Sequence, residues 1–242
     1  MSTGARIDRR NELAGNLEQT EARIQAACAA AGRPREDVVL IVVTKFFPAA
    51  DVELLVDLGV TDIGESRDQE AGAKVAELRI RLGQRLPTVH FVGQLQRNKA
   101  ASVATYADVV HSIDRERLAG ALEKGAVRAN RQLDVLIQVD LDPHPDPERG
   151  GLPPAEVGDL ADRLTAYPCL RLRGVMAVAP LGVDLAEAFG RLRAVSDMVR
   201  AAYPDATIVS AGMSADLEEA IAAGATHLRV GTAILGSRAS HR

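Results

Sequence analysis

Lys45 closes the run Val38-Val39-Leu40-Ile41-Val42-Val43-Thr44-Lys45, where an apolar strand meets a loop. It is one of only four lysines among the 29 lysines and arginines, the others being Lys74, Lys99 and Lys124. Arginine therefore carries most of the generic positive charge. A lysine amine can lose its proton and attack a carbonyl carbon, which a guanidinium cannot do. Side chains alternate along a strand, so Val39, Ile41, Val43 and Lys45 share one face. If that face looks into a barrel, the amine emerges at the open mouth. Apolar walls and neighbouring cations there favour its neutral, nucleophilic form. The alternative is a lysine whose stem packs at a strand end while its head reaches water. Lys74, on a polar helix face, and Lys124, beside Gly125 near a helix end, read as surface charges.

A second constellation lies in the last fifth of the chain. Ser210-Ala211-Gly212-Met213-Ser214-Ala215-Asp216 and Arg229-Val230-Gly231-Thr232 both fall at strand ends. Gly212 and Gly231 allow close backbone approach, and N–H groups at a helix start point towards an anion. Ser210, Ser214 and Thr232 add hydroxyl donors. The alternative is that Ser214 caps a helix over Ala215–Ala222 and the glycines only make turns. An amine on one side of a cleft and a phosphate cup on the other select a phosphorylated aldehyde. Pyridoxal 5′-phosphate carries both handles. A sugar-phosphate aldolase working through a lysine imine is the chemical competitor.

These residues need a scaffold, and the pattern supplies one. Apolar positions at Leu13, Leu17, Ile24 and Ala27-Cys28 have helical spacing from Arg6 to about Ala31, and Gly32-Arg33-Pro34 ends that helix. Strands are predicted at Val38–Val43, Thr61–Ile63, Val89–Val92, Val109–His111, Val135–Val139, Leu172–Val178, Thr207–Val209 and His227–Val230. Helices follow at Asp51–Leu58, Asp68–Leu82, from near Arg97, Arg115–Val127, Pro154–Leu164, Leu185–Ala202, Ala215–Ala222 and at the end of the chain. The strands are short, apolar and mostly β-branched, as parallel strands buried on both faces should be. Eight such units in 242 residues fit an α/β fold, a single (β/α)8 TIM barrel over 1–242 with an extra N-terminal helix. A doubly wound open sheet is the rival. In a barrel, the last two strand ends are a common phosphate site. The polar stretch Asp140–Gly151 reads as a long loop on the same C-terminal face.

Composition narrows the partners. Hydrophobic content of 47% and charged content of 26% support a full core on a soluble surface. A net charge of −4 without a basic stripe argues against nucleic acid, and 3% aromatics leave little to stack on bases. Cys28 and Cys169 have no partner at metal-ligand spacing and read as reduced structural thiols. No signal peptide and no apolar run of about 20 residues is present, so a cytoplasmic protein without a membrane segment is expected.

Several motifs, in order, resemble the pyridoxal-phosphate homeostasis family. They are Val43-Thr44-Lys45, Ile63-Gly64-Glu65, His90-Phe91-Val92-Gly93-Gln94-Leu95-Gln96-Arg97-Asn98-Lys99, Arg173-Gly174-Val175-Met176, Gly212-Met213-Ser214-Ala215-Asp216 and Arg229-Val230-Gly231-Thr232-Ala233-Ile234-Leu235-Gly236. The resemblance implies a barrel similar to the N-terminal domain of alanine racemase, binding pyridoxal 5′-phosphate. It implies that Lys45 carries the cofactor as an imine. Ser210, Gly212, Met213, Ser214, Gly231 and Thr232 would surround the phosphate, and Arg229 would face the pyridine nitrogen. It also leans towards a monomer, with apo forms of cofactor-dependent enzymes as recipients. Two departures stand out: Ser66 where the family usually has Asn, and Ala211 where it often has Met. His90 reads either as part of this motif or as a satisfied core histidine, and Lys99 and Arg97 as contacts near the mouth or as surface residues.

An arginine at the ring nitrogen does not readily give up a proton, so the ring is a weaker electron sink than with an aspartic acid. Racemases of this type tolerate such an arginine but need a second acid/base, supplied by a further β-domain and a partner subunit. No such domain is expected within these 242 residues. Holding and handing over the cofactor, without robust turnover, is the function the resemblance favours. A weak amino-acid racemase is the alternative, and an aldolase-like lyase without pyridoxal phosphate is the second.

Overall fold

The computed structural model describes residues 3–142 and 150–236. Its strands are β1 (Val39–Val43), β2 (Asp62–Glu65), β3 (Thr88–Phe91), β4 (Val109–Ile113), β5 (Leu133–Gln138), β6 (Leu170–Met176), β7 (Ile208–Ser210) and β8 (His227–Val230). All neighbouring pairs are parallel, and β8 returns to β1 to close the barrel in chain order. The helices are α1 (Thr3–Ala30), α2 (Ala49–Asp57), α3 (Asp68–Leu82), α4 (Ala100–Val103), α5 (Glu116–Ala129), α6 (Val157–Leu164), α7 (Leu185–Ala202), α8 (Leu217–Ala222) and α9 (Thr232–Leu235). The expected barrel and its additional first helix are both present, and the open sheet is ruled out by the β1–β8 ladder.

Strand alternation builds two layers. Each strand sends at least one apolar residue outward to the helices: Val42, Ile63, Phe91, Val110, Ile137, Val175, Val209 and Leu228 all belong to one buried cluster. Full burial of a side chain such as Phe91 contributes roughly 1.5–3 kcal/mol. The inner face is mixed. Val109, Leu136 and Met176 form a small apolar cluster, while His90, His111, Ser210 and Arg229 are buried polar residues.

The first helix is tied to the end of the chain. Asn16 Nδ2 donates to Ile234 O at 2.9 Å, and Arg23 pairs with Glu218 at 2.9 Å. Arg9 binds Asp51 at 2.7 Å and donates to Leu235 O at 3.1 Å. Thus α1 closes over α2, α8 and α9 beside the site.

Local differences from the sequence pattern have local causes. The helix expected from Arg97 is a 3-10 turn over Arg97–Lys99 followed by the single turn α4. The strand expected at Leu172–Val178 begins two residues earlier, where Arg171 and Arg173 reach Asp134 at 2.7 and 3.9 Å. Charges near the strand start masked its apolar signal. Helix α8 begins at Leu217 rather than Ala215, because the Asp216 carboxylate accepts the Met213 N–H at 2.6 Å and holds 213–216 as a turn. Of the expected loop at 140–151, residues 143–149 lie outside the described residues; Asp140 N–H donates to Leu152 O at 2.8 Å.

Candidate functional site

Lys45 is the first exposed residue after the buried run Ile41–Thr44. It stands at the C-terminal mouth of the barrel, beyond β1. The peptide on both of its sides is fixed. Thr44 N–H donates to Gly64 O at 2.9 Å, and Thr44 Oγ1 donates to Glu65 Oε1 at 2.6 Å. Lys74 Nζ, from α3, donates to Thr44 O at 2.8 Å. On the other side, Phe46 has φ 71°, a left-handed value uncommon for an aromatic residue. Its N–H donates to Glu70 Oε1, and the Arg67 guanidinium sits over its ring, 4.7 Å from the centroid.

Lys74 joins these contacts. It pairs with Glu65 at 2.7 Å and with Glu70 at 3.2 Å. The expectation that Lys74 is a surface charge is therefore wrong: it is only 6% exposed. The face of α3 carrying Ala71, Lys74, Val75 and Leu78 turns onto the barrel, and the ammonium pairs with Oε1 of the buried Glu65 carboxylate. Burial pushes the Glu65 carboxyl upward, and the Lys74 ammonium works against that rise. The available signal was spacing: Lys74 lies at i+3 from Ala71 and i−4 from Leu78, in the apolar stripe. Lys124 is exposed, as expected.

The second constellation sits on the neighbouring staves. Val42 pairs with Val230 across β1 and β8. A Cβ at Gly231 would lie 3.1 Å from Val43 O, so this backbone runs close against the strand that leads to Lys45. Gly212 has φ 93°, and a Cβ there would meet Ala220 Cβ and Leu228 Cδ2 at 2.8 Å. Only glycine fits both the angle and the space. Met213 and Thr232 are exposed and Ser214 is half-buried. Lys45, Gly212–Ser214 and Gly231–Thr232 therefore all lie at one end of the barrel.

Ser210 and Arg229 lie deeper. The Arg229 guanidinium is buried and donates to Ser210 Oγ at 2.6 Å and to Ala177 O at 2.8 Å. Burial lowers its pKa to about 10, with Asp216 partly offsetting that shift. It remains a cation at neutral pH. The Ser210 hydroxyl is committed to Arg229 and to His111 Nδ1, at 3.0 Å, inside the barrel.

Beside the mouth, Ser66, Asp68, Glu70, Phe91, Gln94 and Lys99 line part of a cavity of about 670 Å3. Lys99 reaches Asp68 at 4.0 Å. Arg97 is exposed. His90 is a satisfied core histidine, bonded to Asp62 and His111 at 2.9 Å each. No group of acidic, cysteine or histidine side chains suited to a metal ion occurs among the described residues.

Known proteins are similar to this chain in sequence and in fold. Residues 16–239 match the family model for the alanine racemase N-terminal domain. The pyridoxal phosphate homeostasis protein of Mycobacterium tuberculosis (strain ATCC 25618 / H37Rv) is 43% identical over 246 residues, covering 96% of this chain and 95% of that one. The chain belongs to the pyridoxal phosphate homeostasis protein family. The solved structure of PipY of Synechococcus elongatus PCC7942, with PLP bound, superposes with a TM-score of 0.79 at 34% identity, covering 93% of this chain and all of PipY. An alanine racemase of Clostridium difficile shares the barrel, with a TM-score of 0.71 at 16% identity; this chain covers 58% of that longer protein. At that distance the likeness concerns the fold alone.

Proposed function

We propose that this protein binds pyridoxal 5′-phosphate at the C-terminal mouth of its barrel and takes part in cytoplasmic vitamin B6 homeostasis. Lys45 holds the aldehyde as a Schiff base. Gly212, Met213, Ser214, Gly231 and Thr232 cradle the phosphate, with the backbone of Ser210 leading into the cradle. Arg229 faces the ring nitrogen from below.

The observation that carries this reading is the placement of an exposed amine after β1 and a glycine-lined backbone cradle after β7 and β8, with β8 hydrogen-bonded to both β1 and β7. In pyridoxal 5′-phosphate the aldehyde and the phosphate-bearing arm are on adjacent ring carbons, so adjacent staves suit them. The donor set matches too: hydroxyls at Ser214 and Thr232 and a permanent cation at Arg229. When bound, the cofactor supplies an aldehyde that condenses with amines and an electron-poor ring. The protein supplies the rest. It presents one lysine, fixes the peptide on both sides of it, and keeps the guanidinium charged. Because an arginine donates a hydrogen bond without readily releasing its proton, it favours holding the cofactor over strong carbanion chemistry. Release to apo enzymes then needs only hydrolysis or exchange with another amine.

Titration of the purified protein with pyridoxal 5′-phosphate, followed by absorbance, tests this reading. Stoichiometric growth of a yellow band that Lys45→Ala abolishes supports it. Incubation of the loaded protein with single amino acids and chiral chromatography then addresses turnover. Rapid racemisation would count against a holding role, and no band in wild type would count against the whole reading.

A further inference from the structure

Beneath the mouth, a file of polar groups crosses the barrel interior. Arg229 donates to Ser210 Oγ at 2.6 Å. Ser210 Oγ lies 3.0 Å from His111 Nδ1, and His111 Nε2 lies 2.9 Å from His90 Nδ1. His90 Nε2 lies 2.9 Å from Asp62 Oδ1. Asp62 is at the first residue of β2, the opposite end of the barrel from Lys45. These groups come from β8, β7, β4, β3 and β2, so the file spans the barrel wall to wall.

The chemistry of its ends fixes its sense. A guanidinium only donates, and an ionised carboxylate only accepts. With both imidazoles neutral, four consecutive bonds between these two ends leave one assignment of the hydrogens. Ser210 accepts from Arg229 and donates to His111. His111 is neutral, with its proton on Nε2, and donates to His90. His90 is also neutral, with its proton on Nε2, and donates to Asp62. The surroundings agree with this. Burial above all, with the positive charge of the neighbouring Arg229, holds His111 well below the usual imidazole range. Burial would raise Asp62, but hydrogen bonds from His90 and Thr61 hold its carboxyl below its usual range. The reward is specific: the Arg229 guanidinium meets a hydroxyl and a carbonyl rather than a carboxylate, and a directed chain orients both.

We propose that Asp62, His90, His111 and Ser210 form a positioning chain that fixes the Arg229 guanidinium and, through it, the hydrogen-bonding state of the ring nitrogen of the bound cofactor. This rests on the function proposed above. The chain touches the cofactor only through Arg229, so its members are positioning residues. Nitrogen-15 NMR tests it in two stages. In the unloaded wild-type protein, both His90 and His111 are expected to show a protonated Nε2 and a bare Nδ1 at neutral pH. Either ring found in the other tautomer, or doubly protonated, overturns the chain even if no variant folds. In the loaded protein, ring-labelled pyridoxal 5′-phosphate reports its own nitrogen. His111→Phe and Asp62→Leu, each with wild-type far-ultraviolet circular dichroism, are expected to shift that resonance. His111→Gln can accept at one atom and donate at another, and is expected to restore it. An unshifted resonance in both His111→Phe and Asp62→Leu overturns the chain while leaving cofactor binding intact. A wild-type protein that binds no labelled cofactor instead refutes the reading beneath it.

Discussion

Lys74 Nζ lies 2.8 Å from the carbonyl oxygen of Thr44, the residue immediately before Lys45. One lysine is exposed at the barrel mouth, and a second, buried, holds its backbone. The same ammonium pairs with Glu65 and Glu70, and Glu70 accepts the N–H of Phe46 on the far side of Lys45. Both peptide bonds of Lys45 therefore lead to one ion cluster on α3 and β2. A flexible four-carbon side chain gains a fixed origin this way, which lowers the ordering cost of placing its amine.

Removal of this cation should be expensive. Lys74→Met leaves Glu65 buried without its partner, and breaking a buried pair costs roughly 3–5 kcal/mol. Urea unfolding should show a loss of that size. Adding Glu65→Gln to Lys74→Met removes the unpaired charge and should recover most of it. If the double variant is no more stable than Lys74→Met, the pair is not the source of the loss.

Gly212 should resist substitution where an ordinary helical glycine welcomes it. At φ 93°, with Ala220 and Leu228 at 2.8 Å from a new Cβ, Gly212→Ala is expected to lose about 1–3 kcal/mol. Gly15 is inside α1 with open space around it, so Gly15→Ala should gain roughly 0.5–1 kcal/mol. Thermal melts of the two variants should move in opposite directions. A tolerated Gly212→Ala would mean that the segment 211–216 adopts another conformation.

The inner histidines give stability a pH dependence of definite sign. Burial and the neighbouring His90 lower His227 from 6.5 to about 4, against the pull of Asp62. The unfolded chain takes up a proton below about pH 6.5 that the folded chain refuses until about pH 4. Stability is therefore full above 6.5 and falls through that window, by on the order of 3 kcal/mol at its lower end. Asp62, held low, adds a further loss below its unfolded value of 3.8. Glu65, raised by burial, works in the opposite sense above 4.5, so the readout is the difference between proteins. His227→Gln should flatten the denaturation midpoint between pH 6.5 and 4 relative to wild type. Parallel curves would show that His227 titrates normally in the fold.

Much of this was legible in the sequence, because the barrel writes itself as short β-branched runs between helical ones. His227–Val230 and Leu185–Ala202 match the pattern to the residue. The place of Lys45 just past the end of β1 was legible as the close of an apolar run. The ion cluster behind Lys45 was not legible, since a lysine in a helix of mixed polarity gives no sign of facing a carboxylate on a strand. The internal file from Asp62 to Arg229 was hidden for a related reason. Consecutive members are 19 to 99 residues apart in sequence, and only barrel closure brings β2, β3, β4, β7 and β8 around one axis. Strand ends shifted where charge interrupts the apolar run, as at Arg171 and Arg173.

Borohydride reduction of the loaded protein, followed by peptide mass spectrometry, is the most direct measurement. A single pyridoxyl group on Lys45 is the expected result, with Lys74, Lys99 and Lys124 unmodified. A modification centred on any of those three, or none at all after saturation, would contradict the assignment of Lys45 as the cofactor's anchor.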